Sequence, residues 1–152
     1  EGQALAERLM TTLNKSARDA MVKYHVHACT DVTGFGLLGH SYEMASGSGV
    51  TIRLHSAALP LMDEARDMAE MGIIPAGAYR NMDYVKPHLT VLPTAQQVFL
   101  DLAADPQTSG GLLVALPRED AEPLLRELQT FAPWSAIVGE VSELRATALE
   151  FD

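Results

Sequence analysis

The sequence predicts an α+β domain, layered α/β/α, in which a mixed β-sheet is flanked by helices. Three observations carry that expectation. Apolar residues recur at three- and four-residue spacing in several separate segments. Short β-branched or apolar runs, VTIRLH (50–55), LLVAL (112–116) and AIVGEV (136–141), stand between those segments. Helical and strand patterns then alternate to the end with no internal repeat, so a single domain built on one mixed sheet is expected. At 152 residues the chain is long enough to bury a core without disulfides.

The elements follow in order. Leu5, Leu9, Leu13, Ala17, Met21 and Tyr24, with Glu7, Lys15, Arg18 and Asp19 between them, predict one long amphipathic helix. YHVHACTDV (24–32) loses that period and reads as a short buried strand. Phe35, Leu38, Tyr42 and Ala45 restore it until SGSG (46–49) ends the helix. VTIRLH is a strand, followed by a methionine-rich helix from about Leu61 to Gly72, in which Met62, Met68 and Met71 are expected as adaptable core filler. IIPAGAYRNMDYVKPH (73–88), with two prolines and several turn formers, reads as an irregular connection. Thr94 and Gln97 suggest a capping box for a helix that buries Val98, Phe99 and Leu102 and ends before Pro106. The strand LLVAL, a helix carrying Leu124, Leu125, Leu128 and Phe131, and the strand AIVGEV complete the chain. Residue 1 is not a methionine and already lies in a helical pattern, so a preceding segment is expected.

Composition narrows the function. Hydrophobic residues make up 47% and charged residues 20%, an ordinary globular balance. A formal charge of -9 repels nucleic acid and anionic membranes, so neither is an expected partner. With a single cysteine and no long apolar run, a reducing cytoplasmic location is expected.

Chemistry concentrates in TDVTGFGLLGH (30–40), where Gly34, Gly36 and Gly39 form a G-x-G-x-x-G pattern. A dinucleotide fold would also need an acid at the end of the next strand to hold a ribose. That strand ends in Arg53 and His55, and the nearest acids, Glu43 and Asp63, belong to flanking helices, so the dinucleotide reading fails. Asp31 redirects the argument. A bare carboxylate would repel a phosphate at the helix start, but it becomes useful if a divalent cation bridges the two, since Mg²⁺ takes one or two carboxylates, waters and phosphate oxygens. Backbone amides at Thr33, Gly34 and Gly36 would complete an anion site. The competing reading is that Asp31 or Thr33 caps the helix while the glycines allow close packing.

DPQTSGG (105–111) is equally open: it is an anion-binding nest, or a tight turn that brings Asp105 near the first loop, and the turn is preferred because a strand follows. Cys29 reads as a small buried thiol, since no second cysteine and histidine pair closes a zinc site and Asp31 disfavours a thiolate. His25, His40, His55 and His88 are scattered and take no assigned role, and no catalytic residue is assigned in this chain.

Taken together, ACTDVTGFGLLGH and DPQTSGGLLVALP resemble the carboxy-terminal domain of the selenophosphate synthetases (selenide, water dikinases), relatives of aminoimidazole ribonucleotide synthetase and the hydrogenase-maturation ATPases. The resemblance covers essentially the whole chain. It implies a mixed sheet layered with helices, like the aminoimidazole ribonucleotide synthetase carboxy-terminal domain, and places residues 1–152 as one carboxy-terminal domain of a longer enzyme. Such enzymes make selenophosphate, AMP and orthophosphate from ATP, selenide and water, with Mg²⁺, at a site between two domains. The nucleophile, its lysine and most metal-binding aspartates belong to the amino-terminal ATP-binding domain, which also builds the homodimer. Only the metal-binding aspartate carries over here, to Asp31, and the isolated chain is expected to be inactive. Another ATP-dependent synthetase of the same superfamily and a non-catalytic interaction domain are the alternatives.

Overall fold

A computed structural model of the chain describes residues 2–152. The expected long first helix is two: α1 (Gly2–Thr11) and α2 (Lys15–Met21). Neighbouring threonines break it. The Thr11 hydroxyl donates to the Glu7 carbonyl at 2.9 Å and the Thr12 hydroxyl to the Arg8 carbonyl at 2.7 Å. Side chains thereby take up carbonyls that a continuing helix would have used. The Asn14 amide instead reaches the Gly110 carbonyl at 3.0 Å, fixing the bend to a distant loop.

The strand predicted from YHVHACTDV is confined to β1 (Ala28–Asp31), which leads into α3 (Gly36–Ser48). Gly49 ends α3 in the left-handed conformation (φ 65°), its amide donating to the Ala45 carbonyl. β2 (Val50–Leu54) follows, then α4 (Asp63–Glu70), with acidic Asp63 and Glu64 favourably placed in its first turn. The methionine expectation fails in α4 and its end: Met68 and Met71 are exposed, and Ala69 is the buried residue. The segment expected to be irregular forms α5 (Ala76–Val85), because Ala78, Asn81 and Val85 recur on one buried face and Pro75 stands just before its start.

β3 (Leu89–Val91) is too short to be seen in the sequence, and α6 (Gln97–Ala103) begins without a side-chain cap, so Thr94 forms no capping box. β4 (Leu112–Ala115), α7 (Arg118–Gln129), β5 (Gly139–Glu143) and β6 (Leu149–Phe151) complete the fold. Phe131 lies beyond α7 and is exposed.

The mixed sheet is four-stranded, in the order β3-β6-β2-β5, with β6 parallel to β3 and β2, and β5 antiparallel to β2. Register puts Ile52 beside Leu149 and Leu54 beside Phe151, so these four share one face. Leu38 and Ala45 of α3, Ala78 and Val85 of α5, and Leu100 and Ala103 of α6 pack with them as the core. The structure departs from the single expected sheet because β1 and β4 pair only with each other, as a separate antiparallel ribbon. That ribbon presents the loops of interest.

Candidate functional site

Side chains alternate along β1, so Cys29 and Asp31 share an exposed face while Ala28 and Thr30 turn away and are half-buried. Asp31 is paired with Leu112, and the ladder continues beyond it through the Val32 amide, which donates to the Gly111 carbonyl at 2.9 Å. The Asp31 backbone is therefore fixed, yet its carboxylate makes no hydrogen bond or ion pair among the described residues.

The following loop is clasped to DPQTSGG. The Thr33 carbonyl accepts the amides of Gly36 and Gln107, each at 3.0 Å. The Asn81 side-chain amide, buried on α5, donates to the Gly34 and Ala104 carbonyls, each at 2.9 Å. Gly36 adopts φ 69°, and a Cβ there would lie 2.8 Å from the Ala104 carbonyl carbon. A Cβ on Gly110 would lie 2.0 Å from the Val32 carbonyl oxygen. These contacts bear out the expected approach of Asp105 to the first loop, but among the described residues DPQTSGG closes no hydrogen-bonded turn of its own and only bends at Thr108 and Ser109. Burial pushes the Asp105 carboxyl up, partly opposed by the hydrogen bond from the Gln107 side chain.

Asp31 ends β1, Thr33 and Gly34 lie in the short loop after it, and Gly36 begins α3, and the structure divides their tasks. Neither Asp31 nor Thr33 caps α3 with its side chain; Phe35 occupies the N-cap position. Gly36 is required internally, by its φ and by the backbone of Ala104 and Asp105, and its amide is already bound to Thr33. Gly34 differs: a Cβ there would meet nothing within 4 Å, which leaves its backbone open to an approaching group. Among the described residues, no three His, Cys, Asp or Glu side chains are grouped to hold a metal. One carboxylate without a partner among the described residues fits Mg²⁺ that takes its remaining ligands from water and phosphate, not a closed protein cage.

Sequence reasoning missed the support around this loop. Asn81 gave no signal, because the segment holding it was read as irregular. His40, expected to have no role, is buried and pairs its Nδ1 with Glu43 Oε2 at 3.2 Å and its Nε2 with the Thr33 hydroxyl at 3.1 Å. The three-residue spacing of His40 and Glu43 on a helix was the available clue. His25 and His55 also face carboxylates, those of Asp120 and Asp152, far from the loop in sequence. Cys29 is exposed, not buried as expected, because the ribbon leaves this face uncovered. Partial desolvation, then the Asp31 carboxylate, push its thiol up, which still argues against a nucleophile. Two surface depressions, one beside Tyr42, His88 and Arg145 and another beside Arg66, Phe99 and Asp152, do not include Asp31.

Residues 1–152 match the family described as AIR synthase related protein, C-terminal domain. The chain is similar to "Selenide, water dikinase" of Clostridium botulinum (strain Eklund 17B / Type B), 50% identical over 133 residues, which cover 88% of this chain and 39% of that protein. It is also similar to "Selenide, water dikinase" of Caldanaerobacter subterraneus subsp. tengcongensis, 49% identical over 144 residues, covering 94% of this chain and 42% of that protein. The chain thus spans about two fifths of the length of these curated relatives. Among solved structures, hydrogenase maturation protein HypE superposes with a TM-score of 0.58 at 19% identity over 90% of this chain and 36% of that one, a likeness of fold. The α+β architecture, with its mixed sheet flanked by helices, is the one this likeness shares, and the full-length family match settles membership: the chain belongs to the AIR synthase related protein family, as its carboxy-terminal domain.

Proposed function

We propose that this chain is the carboxy-terminal domain of a selenophosphate synthetase, which converts ATP, selenide and water to selenophosphate, AMP and orthophosphate. The observation that carries the reading is the Asp31 carboxylate, unpaired among the described residues and exposed at the end of a strand whose following loop is clasped in place. The names and identities of the selenide, water dikinase relatives support the chemistry. In this reading residues 1–152 form one wall of an interdomain site, and an amino-terminal domain supplies ATP binding, the nucleophile and the homodimer contact. The enzyme works in the cytoplasm, and the chain alone is inactive.

Phosphoryl transfer depends on positioning and on neutralising charge spread over phosphate oxygens. Mg²⁺, when bound, supplies that neutralisation. Asp31 would hold it, Thr33 would stand beside it, and the open backbone at Gly34 would let a phosphate approach the start of α3. Rigidity is what the rest of the loop contributes: the Asn81 and Gln107 hydrogen bonds keep these groups in place without reorganisation.

The test is a chimera in which this chain replaces the matching segment of the Clostridium botulinum selenide, water dikinase, with products followed by phosphorus NMR. Selenide-dependent formation of selenophosphate and AMP is the expected result. AMP formed equally without selenide would point to a different ATP-dependent synthetase, and a folded chimera that consumes no ATP would overturn the reading.

A further inference from the structure

Strands β3, β6 and β2 of the mixed sheet run parallel, so their carboxyl ends share one edge. The segments leaving that edge converge. Ser56 follows β2, Thr94 and Gln96 follow β3, and Asp152 follows β6. All four line one surface depression of about 620 Å³, together with Arg66 of α4 and Phe99 of α6. The crevice outside the carboxyl ends of parallel strands is where open α/β sheets take up ligands, and the volume is that of a small-molecule site. This depression belongs to the mixed sheet, not to the ribbon that carries Asp31.

Its two unlike charges are held apart. Arg66 has its Nε bound to Glu70 Oε1 at 2.9 Å, and its guanidinium carbon stands 5.4 Å from the centroid of the Phe99 ring. These contacts orient the planar group, and its two Nη atoms have no partner among the described residues. The Asp152 backbone is fixed on both sides: its amide donates to the Leu54 carbonyl at 3.2 Å, and its carbonyl accepts from the Ser56 amide at 3.1 Å. His55 Nδ1 lies 2.9 Å from Asp152 Oδ2, which leaves Oδ1 without a partner among the described residues. Arg66 and Asp152 thus line the same depression without pairing with each other. Spare donors on a fixed cation and a spare acceptor on a fixed anion fit a ligand that carries both charges.

We propose that this depression binds a free α-amino acid with a short polar side chain. The α-carboxylate takes the Arg66 Nη donors, in the two-pronged match that a guanidinium makes with a carboxylate. The ammonium group takes Asp152 Oδ1. Ser56, Thr94 and Gln96 give the rest of the lining hydroxyl and amide side chains, which suit a polar ligand side chain. A lone anion or a lone cation leaves one of the two charged groups unmatched, so the ligand class follows from the pair. No residue of the Asp31 loop takes part, and the assignment stands independently of the dikinase reading.

The test is a titration of this chain with L-serine, read from the NMR signals of the Arg66 guanidinium and the Phe99 ring. L-Serine should shift both and saturate in the millimolar range or below. Ethanolamine, which lacks the carboxylate, and glycerate, which has a hydroxyl in place of the ammonium group, should each bind roughly 10- to 100-fold more weakly. L-Valine, with both charges and an apolar side chain, should bind more weakly than L-serine. Arg66→Gln and Asp152→Asn should each weaken L-serine by a factor similar to that of the analogues, with the urea midpoint reporting that the fold is kept. If either variant does not fold, the analogue series on the parent chain decides. Absence of a saturable shift, ethanolamine or glycerate binding as tightly as L-serine, or shifts that persist in folded Arg66→Gln would each overturn the site. Equal binding of L-valine would overturn the polar side-chain preference.

Discussion

At the scale of single residues, the loop separates positions that hold the fold from positions left to a ligand. Asn81 belongs to the first kind: it is buried, and its amide satisfies the carbonyls of Gly34 and Ala104. Asn81→Ala leaves both unsatisfied and should lower stability by about 2 kcal/mol, read as a lower midpoint in urea with an unchanged slope. An unchanged midpoint would mean that water replaces the amide without loss. Asp31 belongs to the second kind. Its carboxylate has no partner to lose among the described residues, so Asp31→Asn should leave the thermal midpoint nearly unchanged. In the chimera the same substitution should reduce turnover by roughly two orders of magnitude or more, because metal charge stabilisation is worth several kcal/mol. Near-normal turnover would remove Asp31 from the site.

At the scale of the element, the start of α3 illustrates how two glycines in one motif answer to different physics. Gly36 stands at φ 69° with the Ala104 backbone where its Cβ would be. Gly36→Ala should therefore destabilise the domain by more than the roughly 1–2 kcal/mol of left-handed strain alone. Gly34 has neither a left-handed φ nor a neighbour within reach of a Cβ. Gly34→Ala should fold with near-parental stability by urea melting, and a matching loss of activity in the chimera would then report on ligand approach. If both substitutions cost the same stability, the division is wrong. The helix itself was visible in the spacing of Phe35, Leu38, Tyr42 and Ala45, whereas α5 was hidden by the turn-forming residues of its sequence. Burial of Ala78, Asn81 and Val85 against the core overrides the weak helix preference of Gly77, Asn81, Asp83 and Val85.

At the scale of the whole molecule, the polar face of the mixed sheet couples stability to pH. Glu150, on central strand β6, is 8% exposed and accepts from Arg53 Nε at 2.7 Å and Arg145 Nη1 at 2.9 Å. The hydrogen bond from Arg53 is the main cause holding its carboxyl below the usual range, against the opposing effect of burial and with help from Arg145. A carboxyl lowered in the folded state binds fewer protons there than in the unfolded chain. Its stabilisation is therefore present above the ordinary glutamate value and lost as pH falls toward and through the lowered one. Urea midpoints should decline between neutral and acid pH, and Glu150→Gln should show a smaller decline than the parent. An equal decline in both would place the acid sensitivity elsewhere, at Asp19, Asp120 or Glu127, whose carboxyls are also lowered, by Lys15, His25 and Lys23 in turn. The sequence by itself determined the α+β class, the apolar spacing of α3, and strands β2 and β4, because periodicity is a local property. Only the tertiary structure decided that β1 and β4 leave the main sheet, that three-residue β6 is its central strand, that Cys29 is exposed, and that Asn81 and His40 brace the loop. Strand pairing and the satisfaction of buried polar groups depend on partners tens of residues away, which no local pattern names.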